Sequence, residues 1–249
     1  MRPISVVAVV CLLSSLVLLC AATAPASVAG TANPNPGVIP LNAKVAGLTY
    51  ADWGARWWQW AVSYPSDESA LSDTTGERAW TGQSGPVFFL CGIAGVPGEN
   101  SVERTITIPR NTTLFLPVIN FVDSRLPCCD EVYGECPMTP EENRDFFLWQ
   151  LDGMIATVTE LHASIDGQQL TDLASYRATT TEFFPVNFAA DNPFWCPEGR
   201  SEVNLQSGYY LMLSPLKKGQ HTLNFGGAAQ IPGTGESWSL DVTYNITVD

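Results

Sequence analysis

The stretch at residues 102–119 reads VERTITIPRNTTLFLPVI. The β-branched and apolar residues on either side of Pro109-Arg110-Asn111 are typical of two strands joined by a turn. We therefore expect a β-hairpin with its tip at Asn111. Similar segments recur along the chain and predict seven strands: Pro86 to Ile93, Val102 to Ile108, Thr112 to Ile119, Ala156 to Ile165, Tyr209 to Ser214, His221 to Phe225 and Trp238 to Val248.

The segments between these strands are rich in turn residues. Asp166-Gly167 predicts a tight turn, and Lys217-Lys218-Gly219 is expected to join two late strands. Seven strands without long helices between them predict a mainly β fold. We expect a two-layer antiparallel β-sandwich, of the jelly-roll or Ig-like kind, with two short helices.

Two segments have helix signals. Thr49 and Asp52 form a capping-box pattern, and a helix is expected near residues 49–64. Thr139 as N-cap, followed by proline at the first helical position, predicts a second helix near residues 139–152. The first helix has an aromatic face that we expect to be buried in the core: Tyr50, Trp53, Trp57, Trp60, Ala61 and Tyr64.

The beginning of the chain has the layout of a secretory signal peptide. An apolar run at residues 4–24 follows Arg2, and small residues precede Gly30. We expect residues 1–29 to be removed, residues 30–48 to form an extended proline-rich entry segment, and residues 49–249 to form a single β-sandwich domain. The alternatives are an uncleaved membrane anchor, the only route by which we expect membrane contact, and lipidation at Cys20, which the preceding leucine disfavours.

The composition narrows the class of protein. The chain has 249 residues, 12 Lys and Arg against 25 Asp and Glu, a formal net charge of -13 and 45% hydrophobic residues. This hydrophobic content argues against a disordered polymer, and the negative charge argues against a nucleic-acid partner because it repels phosphates. We expect a secreted protein, either extracellular or at the cell surface.

Five cysteines follow the predicted signal peptide: Cys91, Cys128, Cys129, Cys136 and Cys196. In an exported protein we expect two disulfide bonds and one remaining thiol, and the sequence leaves the pairing open. Cys128 and Cys129 are adjacent, so each is expected to pair with another cysteine. A zinc site is the alternative, but the chain lacks a C-x-x-C pair here, and His162 and His221 lie far away in the sequence.

Several blocks of sequence occur together. They are Trp57-Trp58-Gln59-Trp60-Ala61, Gly82-Gln83-Ser84-Gly85-Pro86-Val87-Phe88-Phe89-Leu90 and, later, Pro215-Leu216 with Gly219-Gln220-His221-Thr222. In this combination the chain resembles a scattered family of exported proteins with no established activity. The resemblance covers most of the mature chain, and it implies export and a β-sandwich but no catalytic residue.

Three tryptophans outside the predicted core face are candidate ligand-binding residues: Trp58, Trp80 and Trp195. An exposed indole offers a flat platform for the C–H face of a sugar ring, while nearby polar groups bond its hydroxyls. Burial in the core is the alternative for tryptophans on or near the first helix.

An acidic region extends from Asp123 to Asp145 and contains candidate calcium ligands: Asp123, Asp130, Glu131 and Glu135. Calcium takes six to eight oxygen ligands, which several carboxylates and carbonyls in one loop would supply. The region lacks EF-hand spacing, and solvated surface acids are the alternative. We expect no other cofactor.

Catalytic signatures are weak. Paired carboxylates would serve glycoside hydrolysis, but a sequence does not show the distance between them. A nucleophilic triad would need His162 or His221 as its base, and Gly-x-Ser-x-Gly is absent from the sequence. Two triplets match the N-glycosylation acceptor, starting at Asn111 and at Asn245, and ordinary polar strand residues are the alternative.

These observations predict an exported, non-enzymatic β-sandwich module that binds a glycan or an extracellular protein partner. One alternative is an exported hydrolase that uses carboxylates. The other is a structural cell-surface component in which the fifth cysteine forms an intermolecular bond.

Overall fold

Two β-sheets form the body of the protein in a computed structural model, which describes residues 33–94, 98–125, 139–231 and 233–249. All seven predicted strands are present with shifted ends, and four further short strands accompany them. The strands are β1 (Val87–Phe89), β2 (Gly98–Ile108), β3 (Thr113–Ser124), β4 (Val158–Ile165), β5 (Gln168–Gln169), β6 (Arg177–Thr179), β7 (Val186–Phe188), β8 (Gly199–Ser201), β9 (Asn204–Leu213), β10 (Gly219–Gln230) and β11 (Ser237–Val248).

The sheets contain both antiparallel and parallel pairs. The first sheet has the strand order β1-β3-β9-β6, the second has β2-β11-β10-β4-β5, and β7 pairs with β8 separately. β1 lies parallel to β3, and β2 lies parallel to β11. The prediction of a mainly β fold with two short helices is confirmed, and the sheets are mixed rather than purely antiparallel.

The turn at residues 109–112 connects the two sheets. β2 belongs to the second sheet and β3 to the first, so the predicted hairpin at Pro109-Arg110-Asn111 is wrong. Its turn chemistry is nevertheless present, since Asn111 has a φ of 63° and Thr112 Oγ1 donates to the Pro109 carbonyl at 2.6 Å. Local turn residues show where a chain reverses, whereas the partner of each strand depends on distant residues. The tight turn predicted at Asp166-Gly167 is confirmed between β4 and β5.

Side chains from both sheets share one continuous hydrophobic core. Residues in the first half of β3 and along β9 are buried on both faces of the first sheet. By contrast, residues along β2 and β11 alternate between buried and more accessible positions, as expected where one face of a sheet meets solvent. The first sheet is therefore the inner layer of the fold.

The helices are α1 (Tyr50–Ala61) and α2 (Pro140–Ala156), each begun by a capping box that satisfies backbone N–H groups. The predicted aromatic core face of α1 is confirmed. Trp53, Trp57 and Trp60 are buried, and each indole N–H donates to a backbone carbonyl. No helix in the described ranges is long and apolar enough to cross a bilayer.

The proline-rich segment before α1 packs along the first sheet. Val38 forms an isolated bridge with Leu213, and the Ile39 backbone N–H donates to the Met212 carbonyl at 2.8 Å. Residues 33–249 form a single compact unit. The described part of this entry segment is therefore in the same unit as the sheets.

Arg104 lies on the inward face of β2 with only 1% of its surface exposed. Its guanidinium donates to four backbone carbonyls and to the Tyr244 hydroxyl; the carbonyls are those of Asp73, Cys91, Ala70 and Gly92. The Asp73 carboxylate is occupied elsewhere, because it accepts from three backbone N–H groups of the following turn. Arg104 thus ties the segment around residues 70–73 and the end of β1 to the second sheet.

Candidate functional site

A cleft of about 430 Å³ is bordered by the end of α1, the second half of β3, β7 and the segment that follows β7. Its volume lies in the range of small-ligand sites. A smaller cavity of about 180 Å³ shares part of its wall. The cleft is lined by Trp58, Val62, Asn120, Phe121, Val122, Asp123, Ser124, Phe188, Phe194 and Cys196.

The polar part of the cleft wall follows a bulge in β3. Pro117 has no backbone N–H to donate, and the register between β3 and β9 shifts between Pro117 and Ile119. Beyond the bulge Asn120 lies opposite Gly208, where an added Cβ would stand 2.5 Å from the Asn120 Cβ. The glycine therefore makes room for the Asn120 side chain.

Two polar side-chain atoms of the cleft wall, Asp123 Oδ2 and Ser124 Oγ, are buried and have no hydrogen-bond partner among the described residues. Trp58 Nε1 and Asn120 Nδ2 are also buried, but both side chains interact with the Tyr210 hydroxyl behind the wall. Buried polar atoms are nearly always paired in folded proteins, and leaving one unpaired costs about 1–3 kcal/mol. A group of such atoms on one cavity wall is the pattern expected where a ligand supplies the missing partners.

Trp58 is buried, with 5% of its surface exposed, so the prediction of an exposed contact is wrong for this residue. Its ring lies between Trp57, at a centroid distance of 5.1 Å, and Phe194, at 5.4 Å. Phe194 comes from the segment after β7, which covers the side of α1 turned away from the predicted core face. Trp58 still borders the cleft as part of its wall.

Polar side chains continue into the protein behind the cleft wall. Tyr210 is fully buried, and its hydroxyl donates to Gln206 Oε1. Burial raises the pKa of Tyr210, and the polar groups of Asn120 and Trp58 beside it lower that pKa in part. Tyr210 therefore stays neutral, and the donors of Asn120 and Trp58 lie next to an uncharged phenol.

Asp123 is the only acidic residue among the described residues that line the cleft. Burial raises the pKa of its carboxyl from 3.8 to about 6, and the Ser124 backbone N–H lowers it in part. No Lys, Arg or His belongs to the described lining. At neutral pH an ionised carboxylate thus lies in a largely apolar wall, with no compensating cation among the lining residues that the structure describes.

We expect the Asp123→Asn variant to be more stable than the parent above pH 6 by on the order of 1 to 2 kcal/mol. This range is below the full linkage value because water partly screens the carboxylate. The unfolded carboxyl ionises near 3.8 and the folded one near 6. The penalty therefore grows as the pH rises between those values, and it is absent below them. Urea unfolding at about pH 4 and about pH 7.5 measures it, with the exposed Asp67→Asn as the control. Equal stabilities of Asp123→Asn and parent at the higher pH would contradict the desolvated carboxylate.

The segment after β7 is organised by Asn192, which is fully buried. Its side chain donates to the carbonyls of Ala189 and Cys196, and it accepts from the backbone N–H groups of Phe194 and Cys196. Asn192 is not among the candidate residues predicted from the sequence. The Asn192-Pro193 dipeptide, which favours turn initiation, was the available signal.

Trp195 is displayed by this segment with 75% of its surface exposed. Its φ of 53° is unusual for a bulky residue and costs on the order of 1 kcal/mol. Its two neighbours in sequence, Phe194 and Cys196, both line the cleft. Trp195 is therefore held in an unfavourable backbone conformation next to the cleft, in agreement with its predicted exposure.

Trp80 is also exposed, at 51%, but it lies elsewhere. Its ring packs edge-on against Phe88 at 4.9 Å, and its indole N–H donates to the Thr107 carbonyl at 3.1 Å. Those partners belong to β1 and β2, and Trp80 is not among the cleft-lining residues. The structure thus brings Trp58 and the Trp195 segment together and leaves Trp80 apart.

The structure describes two of the five candidate disulfide cysteines, Cys91 and Cys196. Cys91 is a free, buried thiol whose sulfur lies 3.8 Å from the Tyr244 hydroxyl, so this one of the five candidates forms no disulfide bond. Burial raises the pKa of this thiol, which keeps it protonated. Cys196 is half-buried at the cleft. The remaining candidates, Cys128, Cys129 and Cys136, lie outside the described residues.

One of the four predicted calcium ligands lies in the described part of the chain. Asp123 is in β3, whereas Asp130, Glu131 and Glu135 lie outside the described residues. Within the described ranges no group of three or more His, Cys, Asp or Glu side chains is placed to hold a metal ion. The calcium site therefore stays a prediction.

The glycosylation candidates and the histidines lie away from the cleft. Asn111 is exposed at the turn between the sheets, and Asn245 is inside β11, where its amide donates to Glu103. Both ring nitrogens of His221 have partners, the Asp166 carboxylate and the Lys217 carbonyl. His162 lies on the second sheet 3.4 Å from Asp241.

No protein-family model matches the chain, and no curated protein matches it. Among solved structures, PbICP-C in complex with falcipain-2 has a TM-score of 0.23 and 9% sequence identity, covering 66% of this chain and 100% of its own. The solution structure of Amebosin has a TM-score of 0.19 and 11% identity, covering 61% of this chain and 100% of its own. At TM-scores this low, neither similarity shows a shared fold or a shared function.

Proposed function

We propose that the protein is an exported, non-enzymatic module that binds a glycan in the cleft. The observation that carries the proposal is that Asp123 Oδ2 and Ser124 Oγ, which have no partner among the described residues, lie on an aromatic wall. A sugar ring has apolar C–H faces and hydroxyls that both donate and accept hydrogen bonds, so it matches such a wall better than a purely apolar ligand does.

The donors and acceptors of the cleft are complementary to hydroxyls. Ser124 Oγ would donate to a sugar oxygen, and Asp123 Oδ2 would accept a hydroxyl proton. Trp195, exposed beside the cleft, would stack on a neighbouring sugar of the chain. Together these groups favour a glycan longer than one residue.

The other functions have less support. A carboxylate-dependent hydrolase needs a second acid across the cleft, and the described lining supplies Asp123 alone. A covalently linked cell-surface component needs an accessible thiol, and of the two described candidates Cys91 is buried and Cys196 is half-buried. A protein partner would find an exposed aromatic pair on α2, Phe146 and Trp149, away from the cleft.

The test is adsorption of the purified mature protein to a panel of insoluble polysaccharides, measuring both protein depletion and sugar released into solution. We expect depletion without release on at least one polysaccharide. The Trp195→Ala variant should bind about 10-fold more weakly, because it loses a stacking contact of roughly 1 to 1.5 kcal/mol.

The matched control is Trp80→Ala, which removes an exposed tryptophan at a distance from the cleft and should bind like the parent. Release of sugar into solution would contradict the non-enzymatic module and support the carboxylate-dependent hydrolase instead. No depletion on any polysaccharide, or loss of binding in Trp80→Ala but not in Trp195→Ala, would overturn glycan binding at the cleft.

A further inference from the structure

We propose that the cleft is selective for glycans that contain a free amino group, with the ammonium ion held by Asp123. This inference rests on the proposed function and names the class of sugar that the same site takes. Three features of the described residues support it: the carboxylate without a counter-ion, the aromatic rings that line the same cleft, and the unpartnered Ser124 hydroxyl on the same wall.

The first feature is a carboxylate that lacks a counter-ion. Asp123 Oδ2 is buried without a partner, and no basic side chain is among the described lining residues. Arg125 follows two residues later but does not line the cleft. An ionised carboxylate in such a place is destabilised by lost hydration, and a ligand cation would restore the missing charge partner.

Aromatic rings near the carboxylate are the second feature. Trp58, Phe121, Phe188 and Phe194 all line the cleft. The face of an aromatic ring attracts a cation, and the attraction is stronger when the cation is shielded from water. A carboxylate combined with several rings is therefore complementary to an alkylammonium group, and it disfavours an anionic sugar such as a uronate.

The third feature distinguishes an amino sugar from a simple amine. Ser124, next to Asp123 in the sequence, has a buried hydroxyl without a partner among the described residues. That hydroxyl would donate to one of the sugar oxygens, which a lone ammonium ion lacks. An N-acetylated sugar keeps those oxygens but replaces the cation by a neutral amide. The cleft should therefore separate a glucosamine chain from its acetylated counterpart.

The experiment is isothermal titration calorimetry at about pH 7, in buffer with EDTA. Soluble β-1,4-linked oligomers of glucosamine and of N-acetylglucosamine are titrated separately into the protein. We expect the parent to bind the glucosamine oligomer at least about 10-fold more tightly. Asp123→Asn should reduce that preference to less than about 2-fold while still binding the acetylated oligomer, since the donors and rings remain. This variant is expected to fold because it removes a desolvated charge.

Asp67→Asn is the matched control. Asp67 is exposed, so the variant changes the net charge equally and should keep the full preference. Equal binding of the two oligomers by the parent would overturn the amino-sugar inference and leave the proposed function standing. The same preference in Asp123→Asn as in the parent would overturn the role of Asp123. If the parent bound neither oligomer and no polysaccharide of the adsorption panel, the proposed function itself would be overturned.

Discussion

The Arg104→Met variant is expected to lose about 4 kcal/mol of unfolding free energy or more, which is a large part of the stability of a typical domain. Methionine keeps much of the apolar stem but removes all the hydrogen bonds of the guanidinium. The carbonyls of Asp73, Ala70 and Gly92 would then be left buried in the interior without this donor. Urea unfolding followed by tryptophan fluorescence measures the loss.

Two further variants complete this test. Arg104→Lys keeps the charge, but a single ammonium does not reach all five acceptors, so we expect a smaller loss of about 2 kcal/mol. Arg110→Met is the control, because Arg110 is exposed and its one hydrogen bond is to the Asp249 carbonyl. It should change stability by less than about 0.5 kcal/mol. If all three variants unfolded at the same urea concentration as the parent, Arg104 would not tie the segment around residues 70–73 and the residues after β1 to the second sheet as described.

The Gly226→Ala variant is expected to destabilise the fold by roughly 3 kcal/mol or more, because the second sheet has no space for a methyl group there. Gly226 is in β10, paired with β11 on one side and β4 on the other. An added Cβ would stand 1.9 Å from the Leu240 carbonyl oxygen. That oxygen belongs to the backbone of the neighbouring strand, so relief requires the strands to separate.

Gly153→Ala provides the opposite case. Gly153 is exposed in α2, and an added Cβ would meet nothing within 4 Å. Alanine favours helix over glycine, so we expect stabilisation by about 0.5 to 1 kcal/mol. Thermal unfolding of both variants should show a lower midpoint for Gly226→Ala and a higher one for Gly153→Ala. Midpoints that moved in the same direction would contradict the assignment of these effects to packing space and helix propensity.

Much of the local structure could be predicted from the sequence because its signals are local. The capping residues at Thr49 and Thr139 begin helices, and the period of two marks the long strands. The alternation in Val102-Glu103-Arg104-Thr105-Ile106 also places Arg104 on the inward face, so its burial was predictable in principle. β5 to β8 are only two or three residues long and are too short to have a pattern of their own.

The pairing of strands and the cleft were less predictable because they depend on distant residues. β2 pairs with β11 across more than a hundred residues of sequence, which a turn at Asn111 does not specify. Trp58 is buried by Phe194 from a segment after β7, so helix periodicity alone does not reveal its cover. Asp123 was named as a calcium ligand from its acidic neighbourhood, whereas its isolation among apolar rings is visible only in three dimensions.

The position of β11 has a consequence for when the protein can fold. β11 lies inside the second sheet, between β2 and β10, yet it follows all the other described strands in the sequence. Until it emerges, β2 has no partner in that sheet, and the inward side of Arg104 lacks the Tyr244 hydroxyl. The pairing of early with late strands gives the chain a high contact order, which slows folding. The second sheet is therefore complete only when β11 has been added, so we expect the native fold to form after that strand has left the ribosome.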